Sequence, residues 1–341
     1  MEYQGRTGLI GAGDIAGAHT TGYRRNADTV VFAAIADPVR ENAERRRGDD
    51  DTVVIYDDYR TMIAEAQLDA VDICLPHHLH ADAIIAAAEA GLHVLCEKPL
   101  CLTVEEAAAI TEVAARTGVT IMCAHNQLFF PTVAEAKRML DSGTLGRVYE
   151  VRTTDSFYND FTPESMGWRA HTATAGGGEL IDTGYHPLYL LQHLAGATPV
   201  EVTAMLTKHR LAFMEGEDSA QVLVRYDNGV VGHVTTSWAY DAAPGTEKFS
   251  VVAEKGSLTS DGVTLTYRLR GAEPVTMEFE PVHDIAAEIE HFARCLLTGA
   301  RPIQTHIEGI DVLGVILAAY ESVASSAIVP VRRPGMLSPT A

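Results

Sequence analysis

The sequence predicts an α/β protein of two domains, the first of which is a doubly wound parallel sheet. Short apolar runs alternate with helical patterns up to about residue 124, which is the rhythm of βαβ units. A glycine-rich turn joins the first apolar run to the first helical pattern. The chain has 341 residues, too many for one compact core, so we expect a second domain.

The first elements carry a dinucleotide-binding pattern. Residues 7–10 form a short apolar strand, and Gly11 and Gly13 then begin a G-x-G-x-x-A match ahead of a helix. In this pattern the first glycine permits a tight turn and the second lets the backbone approach a pyrophosphate. Asp14 and Ile15 lie in the same turn, where the helix start presents N–H groups to phosphates.

A second predicted strand, residues 29–36, ends at Asp37. An acidic residue about 20 positions after the end of this pattern, which is Ala16 here, binds the adenosine ribose hydroxyls in dinucleotide-binding proteins. An ordinary turn aspartate before Pro38 is the alternative. Because Asp37 would repel a 2′-phosphate, we expect NAD to be preferred over NADP. Arg40 argues the other way, since it could turn toward such a phosphate.

The alternation of strands and helices continues to the end of the first domain. Strands are predicted at residues 52–56, 70–75, 93–96 and 119–124, and helices at 59–66, 81–90 and 103–117. Thr103 and Glu106 form a capping box at the start of the last of these helices.

The turn after residue 75 contains three histidines, in the run Leu75-Pro76-His77-His78-Leu79-His80. A metal site would need carboxylates or cysteines at ligand spacing, and none stands there. We therefore expect no metal and place this turn at the carboxyl edge of the sheet, against the cofactor.

The run Cys96-Glu97-Lys98-Pro99-Leu100 follows a buried strand directly. Ligands of open α/β sheets bind outside the carboxyl ends of the strands. Lys98, held on a stiff Lys-Pro turn at that edge, is a candidate catalytic cation. A surface charge pair before a turn proline is the alternative.

One set of motifs occurs in a fixed order along the chain: Gly11 with Gly13, Asp37, Pro76 with His80, and Glu97-Lys98-Pro99. In this combination the chain resembles the Gfo/Idh/MocA family, which is named for glucose–fructose oxidoreductase, inositol dehydrogenase and a rhizopine catabolism protein. The resemblance extends over nearly the whole chain. It implies a Rossmann domain followed by an α+β domain with a large, open, mostly antiparallel sheet.

We accordingly assign residues 1–124 to the Rossmann domain, 125–333 to a substrate-binding and oligomerisation domain, and 334–341 to a loose tail. Residues 199–281 read as strands and turns, with hairpin signals at residues 227–229 and 261–262. Helices are predicted at about residues 132–141, 284–298 and 307–327.

The segment from Gly176 to His186 is similar to the second catalytic motif of the family, D-x-x-x-H. The resemblance implies that Lys98, Asp182 and His186 are catalytic. Oxidation of an alcohol needs a base for the hydroxyl proton and a group that stabilises the developing alkoxide. His186 suits the first task and Lys98 the second. We expect Asp182 and His186 on one face of a single helix, which Pro187 should distort just after His186.

The expected contacts to cofactor and substrate extend beyond these three residues. Cofactor contacts are expected at Gly11, Gly13, Asp14, Ile15, Asp37, Leu75, Pro76, His77, His80, Glu97, Lys98 and Asn126. Substrate contacts are expected at Lys98, Asn126, Tyr158, Trp168, Arg169, Asp182 and His186, with His171 beside them.

The chain departs from the family pattern at two positions. His77 stands where an asparagine is common, which bears on the nicotinamide ribose contacts. Gln127 and Leu128 stand where many members carry an arginine, the usual clamp for a carboxylate, so a strongly anionic substrate is disfavoured. Arg152 and Arg169 could still supply such a clamp.

The formal net charge of −20 disfavours nucleic acids and anionic membranes as partners. The start of the chain lacks the features of a signal peptide, and the five cysteines form no Cys-x-x-Cys, so we expect a cytoplasmic location. Strands around residues 219–240 carry apolar residues on both faces, so we expect a homodimer or homotetramer.

The sequence thus predicts an NAD-dependent dehydrogenase that transfers a hydride between a secondary hydroxyl of a sugar, inositol or related polyol and nicotinamide. Two alternatives remain open. One is an enzyme that retains NAD and cleaves glycosides through transient oxidation. The other is a regulator that binds NAD without catalysis, although such a protein would be expected to lose Lys98 or His186.

Overall fold

The computed structural model describes residues 5–333, so the predicted loose tail lies outside the described residues. These residues form two compact units by their contacts. The first comprises residues 5–126 and 283–309, and the second comprises 127–282 and 310–333. This grouping differs from the division by sequence, because the helix that begins at Asp284 packs against the first helix of the chain.

The described residues contain fifteen strands. In chain order they are β1 (Gly5–Ile10), β2 (Val30–Ala36), β3 (Val54–Tyr56), β4 (Ala70–Ile73), β5 (His93–Cys96), β6 (Ile121–Cys123), β7 (Val148–Ser156), β8 (Pro199–Thr207), β9 (Ser219–Tyr226), β10 (Val231–Ser237), β11 (Phe249–Ala253), β12 (Gly256–Ser260), β13 (Thr264–Leu269), β14 (Val275–Glu278) and β15 (Val329–Pro330).

The α-helices of the described residues alternate with the strands in the first third of the chain. They are α1 (Ala16–Arg25), α2 (Arg40–Arg47), α3 (Tyr59–Glu65), α4 (His80–Glu89), α5 (Val104–Thr117), α6 (Pro131–Asp141), α7 (Pro163–Met166), α8 (Thr172–Ala175), α9 (Glu179–Asp182), α10 (Tyr185–Ala195), α11 (Asp284–Thr298) and α12 (His306–Ser325). None of the helices within residues 5–333 is both long enough and apolar enough to cross a bilayer.

The first unit contains a six-stranded parallel sheet in the order β3-β2-β1-β4-β5-β6, which confirms the predicted Rossmann-type fold. Strands β2, β4, β5 and β6 are mostly apolar and buried, as expected where helices cover both faces of a parallel sheet. The chain order reverses between β1 and β4, and this is the switch point where open α/β sheets bind ligands.

Helix α5 shows how local sequence sets a helix boundary. The Thr103 hydroxyl accepts the Glu106 N–H at 3.1 Å, and the Glu106 carboxylate accepts the Thr103 N–H at 3.2 Å. The helix ends at Gly118, whose φ of +71° favours glycine. The predicted capping box is therefore present.

The second unit contains a nine-stranded sheet in the order β14-β13-β12-β11-β7-β10-β9-β8-β15. All neighbours in it are antiparallel except β7 and β10, which confirms the predicted open, mostly antiparallel sheet. Helix α10 packs on β7 and β10. The Thr153 hydroxyl of β7 donates to the Pro187 carbonyl of that helix at 2.8 Å.

The prediction of one helix carrying both Asp182 and His186 is wrong. Helix α9 ends at Asp182, and α10 begins only at Tyr185. A Cβ at Gly184, between them, would lie 2.7 Å from backbone atoms of Leu180. Pro187 is the third residue of α10, where its missing N–H would have no intrahelical acceptor, so it does not distort the helix.

Candidate active site

The glycine turn after β1 has the geometry that a dinucleotide needs. Gly11 has a φ of +92°, and a Cβ there would lie 2.5 Å from the Cys74 carbonyl oxygen. A Cβ at Gly13, in contrast, would meet no atom within 4 Å. The backbone of Gly13 therefore faces open space, as close approach of a pyrophosphate requires. Asp14 and Ile15 are exposed in the same turn, directly before α1.

Asp37 lies at the carboxyl end of β2 and contacts the glycine turn. Its Oδ2 accepts the Ala12 N–H at 2.7 Å, and its Oδ1 accepts the Val39 N–H at 2.8 Å. Each carboxylate oxygen has a further lone pair, so both can also accept from a ribose diol. Asp37 thus joins the end of β2 to the predicted phosphate turn.

Helix α2 carries two arginines of interest, of which Arg46 contacts this turn. The Arg46 guanidinium donates to the carbonyl oxygens of Gly13 at 2.7 Å and Ala12 at 3.3 Å. No sequence motif singles out Arg46, which stands between Arg45 and Arg47 in the last turn of α2. Arg40 donates from Nε to Glu44 at 3.1 Å, and its Nη1 lies 3.9 Å from Asp57.

The histidine turn after β4 is hydrogen bonded to the lysine turn after β5. His80 is fully buried, with Nδ1 2.7 Å from the Pro99 carbonyl oxygen and Nε2 2.8 Å from the Leu75 carbonyl oxygen. Burial lowers the pKa of His80, although the hydrogen bonds to the Pro99 and Leu75 carbonyl oxygens oppose this shift. His77 is also buried, and its ring meets that of His80 edge-on at 5.9 Å.

Lys98 and Asn126 complete the carboxyl edge of the parallel sheet. The Lys98 N–H donates to Glu97 Oε2 at 3.0 Å, and the following peptide bond to Pro99 is cis. Asn126 follows β6, and its Nδ2 donates to Asp284 Oδ2 at 2.7 Å. Asp284 is not among the predicted site residues, since its partner is 158 residues away in the chain.

The remaining predicted site residues belong to the second unit. His186 Nδ1 lies 2.8 Å from the Tyr189 hydroxyl, and that hydroxyl also accepts the Gln127 N–H at 3.1 Å. Asp182 is 6% exposed, and its Oδ2 accepts from Arg169 Nε at 2.8 Å. Tyr189 and Gln127 therefore orient the imidazole, and Arg169 orients the carboxylate.

The predicted aromatic contacts lie beside cationic groups in this unit. The Arg169 guanidinium carbon lies 4.4 Å from the Trp168 ring centre, and that of Arg210 lies 4.2 Å from the Tyr158 ring centre. His171 Nδ1 lies 3.1 Å from Glu215, and hydrogen bonds from His171 and Thr172 lower the pKa of Glu215 to about 2.

A polar group at the end of β7 was missed by the sequence analysis. Gln127 Nε2 donates to Asp155 Oδ2 at 3.2 Å, and the Lys248 ammonium lies 3.6 Å from the same oxygen. Arg152 of β7 does not belong to this group. Side chains alternate along a strand, and Thr153 faces α10, so Arg152 lies on the opposite face of the sheet.

Comparison with known proteins gives matches to both units. Residues 5–125 match the family described as "Oxidoreductase family, NAD-binding Rossmann fold", and residues 133–259 match "GFO/IDH/MocA C-terminal domain".

Individual relatives match over most of their length. The chain is 33% identical to D-xylose 1-dehydrogenase (NADP(+)) 2 of Haloferax volcanii over 283 residues, covering 80% of this chain and 84% of the relative. It is 29% identical to scyllo-inositol 2-dehydrogenase (NAD(+)) of Bacillus subtilis over 337 residues, covering 94% and 95% of the two chains. A solved structure of levoglucosan dehydrogenase with NADH and levoglucosan superposes with a TM-score of 0.86 at 26% identity, covering 97% and 100%.

Proposed function

The chain belongs to the Gfo/Idh/MocA family of oxidoreductases, and on that premise we propose that it moves a hydride between a secondary hydroxyl of a sugar, inositol or related polyol and NAD. One observation carries this proposal. Lys98 follows β5 at the same edge of the parallel sheet as the Gly11 turn and Asp37, which follow β1 and β2. A cation at that edge lies where open α/β sheets bind their ligands.

NAD, when bound, supplies the hydride acceptor. The open backbone at Gly13 and the N–H groups at the start of α1 suit its pyrophosphate. The Asp37 carboxylate suits the adenosine ribose diol. We assign the other expected cofactor contacts to the same sheet edge, at Asp14, Ile15, Leu75, Pro76, His77, His80, Glu97, Lys98 and Asn126.

We assign the proton transfer to His186. The Tyr189 oxygen can accept two hydrogen bonds, one from the Gln127 N–H and one from His186 Nδ1–H. In that tautomer the lone pair is on Nε2, which can take the hydroxyl proton. The Lys98 ammonium stabilises the developing alkoxide, and Asp182, held by Arg169, accepts a substrate hydroxyl.

The surroundings of Asp37 and Arg40 support a preference for NAD over NADP. Both oxygens of Asp37 already accept backbone N–H groups, so the carboxylate is fixed beside the glycine turn. Arg40 interacts with Glu44 and Asp57 and would have to leave both to bind a 2′-phosphate. The relatives include proteins named for each cofactor, so the support for this preference comes from the chain's own residues.

The arginines of the second unit support an uncharged substrate. The Arg169 guanidinium binds Asp182 and stacks on Trp168, and Arg152 lies on the opposite face of the sheet. Gln127 and Trp168 offer an amide and an aromatic face, which suit polyol hydroxyls and sugar rings. We place Tyr158 and Asn126 among the same substrate contacts.

We also propose that the protein is a homo-oligomer, either a dimer or a tetramer. The face of the nine-stranded sheet opposite α10 exposes large apolar side chains, including Met205 (76% exposed), Leu223 (46%) and Val231 (45%). Exposed apolar side chains on an uncovered sheet face are typical of a subunit interface. Light scattering that gives only the mass of one 36.7 kDa chain would contradict the oligomer.

All five cysteines are buried free thiols, which supports a reducing, cytoplasmic location.

A substrate panel tests the proposed activity against its two alternatives. Polyols, inositols, aldoses and glycosides are incubated with the enzyme and NAD, and both free NADH and released aglycone are measured. We expect NADH to form with at least one free polyol or sugar. Aglycone release without net NADH would favour the glycoside-cleaving alternative, and tight NAD binding without turnover would favour the regulator.

A further inference from the structure

A buried cluster of titratable side chains adjoins the Glu97-Lys98 turn and has no part in the proposed chemistry. Its centre is His19, a fully buried residue of α1. His19 Nδ1 lies 2.7 Å from Oδ2 of Asp72, which is fully buried in β4, and Nε2 lies 3.0 Å from Oε1 of Glu97, which follows β5. The imidazole thus bridges carboxylates of two neighbouring strands.

The hydrogen bonds of the cluster indicate which protons it holds. Ionised carboxylates only accept, so each ring nitrogen must donate if both contacts are attractive. The Tyr23 hydroxyl donates to the same Asp72 oxygen at 2.9 Å. Burial by itself lowers the pKa of His19, but the charge of Asp72 and the hydrogen bond to it outweigh burial and raise this pKa well above its usual value. The ring is therefore an imidazolium at neutral pH.

The carboxylate of Glu97 connects this imidazolium to the lysine turn. One oxygen of Glu97 contacts His19, and the other accepts the Lys98 N–H at 3.0 Å. The Glu97 N–H itself donates to the Ile73 carbonyl of β4 at 2.9 Å. A fixed Glu97 side chain consequently fixes the backbone from which the Lys98 side chain extends.

Glu288 of α11 adds a neutral acid to the cluster. It is fully buried, and neither of its oxygens has a hydrogen-bond partner among residues 5–333. Burial raises the pKa of Glu288 well above its usual range, and the charges of Glu97 and Asp72 raise it further. The imidazole of His19 therefore lies between the carboxyl groups of Asp72 and Glu97, and Glu288 adds no charge beside them.

We propose that His19 is a positioning residue for catalysis: its imidazolium holds Glu97, and Glu97 holds Lys98 at the carboxyl end of β5. This proposal rests on the proposed dehydrogenase function. The cost of losing His19 should appear in the chemical step, because a displaced Lys98 ammonium stabilises the alkoxide less well.

Kinetics of His19→Gln test the proposal, with Tyr23→Phe as the matched control. Tyr23→Phe also removes a hydrogen bond to Asp72, but it leaves the contact between His19 and Glu97 in place. Misplacement of a catalytic group by about 1 Å can cost about 10²-fold, so we expect His19→Gln to lower kcat by about 10- to 100-fold. The Kd for NADH should stay near the wild-type value, and Tyr23→Phe should keep most of kcat.

A double-mutant cycle separates positioning from general loss of structure. If His19 acts through Glu97, the double variant His19→Gln/Glu97→Gln should lose about as much kcat as Glu97→Gln alone. If the double variant instead loses the product of the two single-variant losses in kcat, the proposal would be overturned. So would a His19→Gln variant with a lowered Tm but wild-type kcat, which is the result that a purely structural role predicts.

Neutron diffraction from wild-type crystals tests the same cluster without any substitution. We expect deuterium on both ring nitrogens of His19, and one bare nitrogen would overturn the imidazolium and with it the proposal. This measurement does not depend on activity. A wild type without dehydrogenase activity would contradict the proposed function, whereas an active wild type with an active His19→Gln variant would contradict only the positioning role.

Discussion

Substitution of the two glycines of the phosphate turn should separate folding from cofactor binding. At Gly11, alanine would have to adopt a φ of +92° with its Cβ 2.5 Å from the Cys74 carbonyl oxygen. The left-handed conformation alone costs about 1–2 kcal/mol for an L-residue. The contact adds to this cost because a backbone atom must move, so Gly11→Ala should lower the free energy of unfolding by at least about 2 kcal/mol.

At Gly13, the Cβ of alanine would meet no protein atom within 4 Å, so stability should not change. The methyl group would instead occupy the space through which a pyrophosphate approaches the backbone. We expect Gly13→Ala to weaken NAD binding by roughly tenfold, about 1.4 kcal/mol. Calorimetry gives the NAD affinity and thermal unfolding gives the Tm of each variant. A Gly13→Ala variant with wild-type affinity and Tm would refute the assignment of this turn to the pyrophosphate.

Four further predictions follow from the sites described above. His186→Ala should lower kcat by roughly 10²–10⁴-fold and abolish the rising neutral limb of the pH–rate profile, and a persisting limb would exclude His186 as the base. Lys98→Arg should recover little of the kcat that Lys98→Ala loses, because a planar guanidinium does not replace a compact ammonium; near-wild-type kcat would contradict this role. Asp37→Ser should reduce the ratio of kcat/KM for NAD to that for NADP, and an unchanged ratio would mean that Asp37 does not face the ribose. Burial raises the pKa of Asp218, but hydrogen bonds from the N–H groups of residues 209–211 outweigh burial and lower this pKa. The Asp218 carboxylate therefore stabilises the fold above its unfolded pKa of about 3.9, and this stabilisation is lost as the pH falls further. Urea unfolding at neutral and acidic pH should show Asp218→Asn less stable at neutral pH and less acid-sensitive, and equal acid sensitivity would contradict this.

The predictable parts of the structure are those that local sequence determines. The parallel direction of strands β1 to β6 follows from the alternation of strands and helices. The start of α5 follows from the capping box of Thr103 and Glu106. The positions of Gly11, Asp37 and Lys98 at one sheet edge follow from the parallel order itself, because the carboxyl ends of parallel strands meet at the same edge.

The unpredicted parts depend on contacts between residues that are distant in the chain. The pairing of Asn126 with Asp284 and of His19 with Glu97 has no signal in local periodicity. The break between α9 and α10 was missed because the spacing of Asp182 and His186 fits a continuous helix as well as it fits two. A Cβ at Gly184 would lie 2.7 Å from backbone atoms of Leu180, a close approach that residue spacing does not reveal.

Transfer of deuterium from a labelled substrate is the most direct test of hydride transfer between the carbinol carbon and nicotinamide. A polyol or sugar that the enzyme oxidises is prepared with deuterium on the carbinol carbon, and the nicotinamide product is analysed by mass spectrometry. We expect one deuterium in free reduced nicotinamide, and we expect Lys98→Ala and His186→Ala each to lower the rate of its transfer. Reduced nicotinamide without deuterium would contradict hydride transfer from the carbinol carbon. If the substrate is a glycoside, deuterium found in the released sugar, with no free NADH formed, would contradict net dehydrogenation.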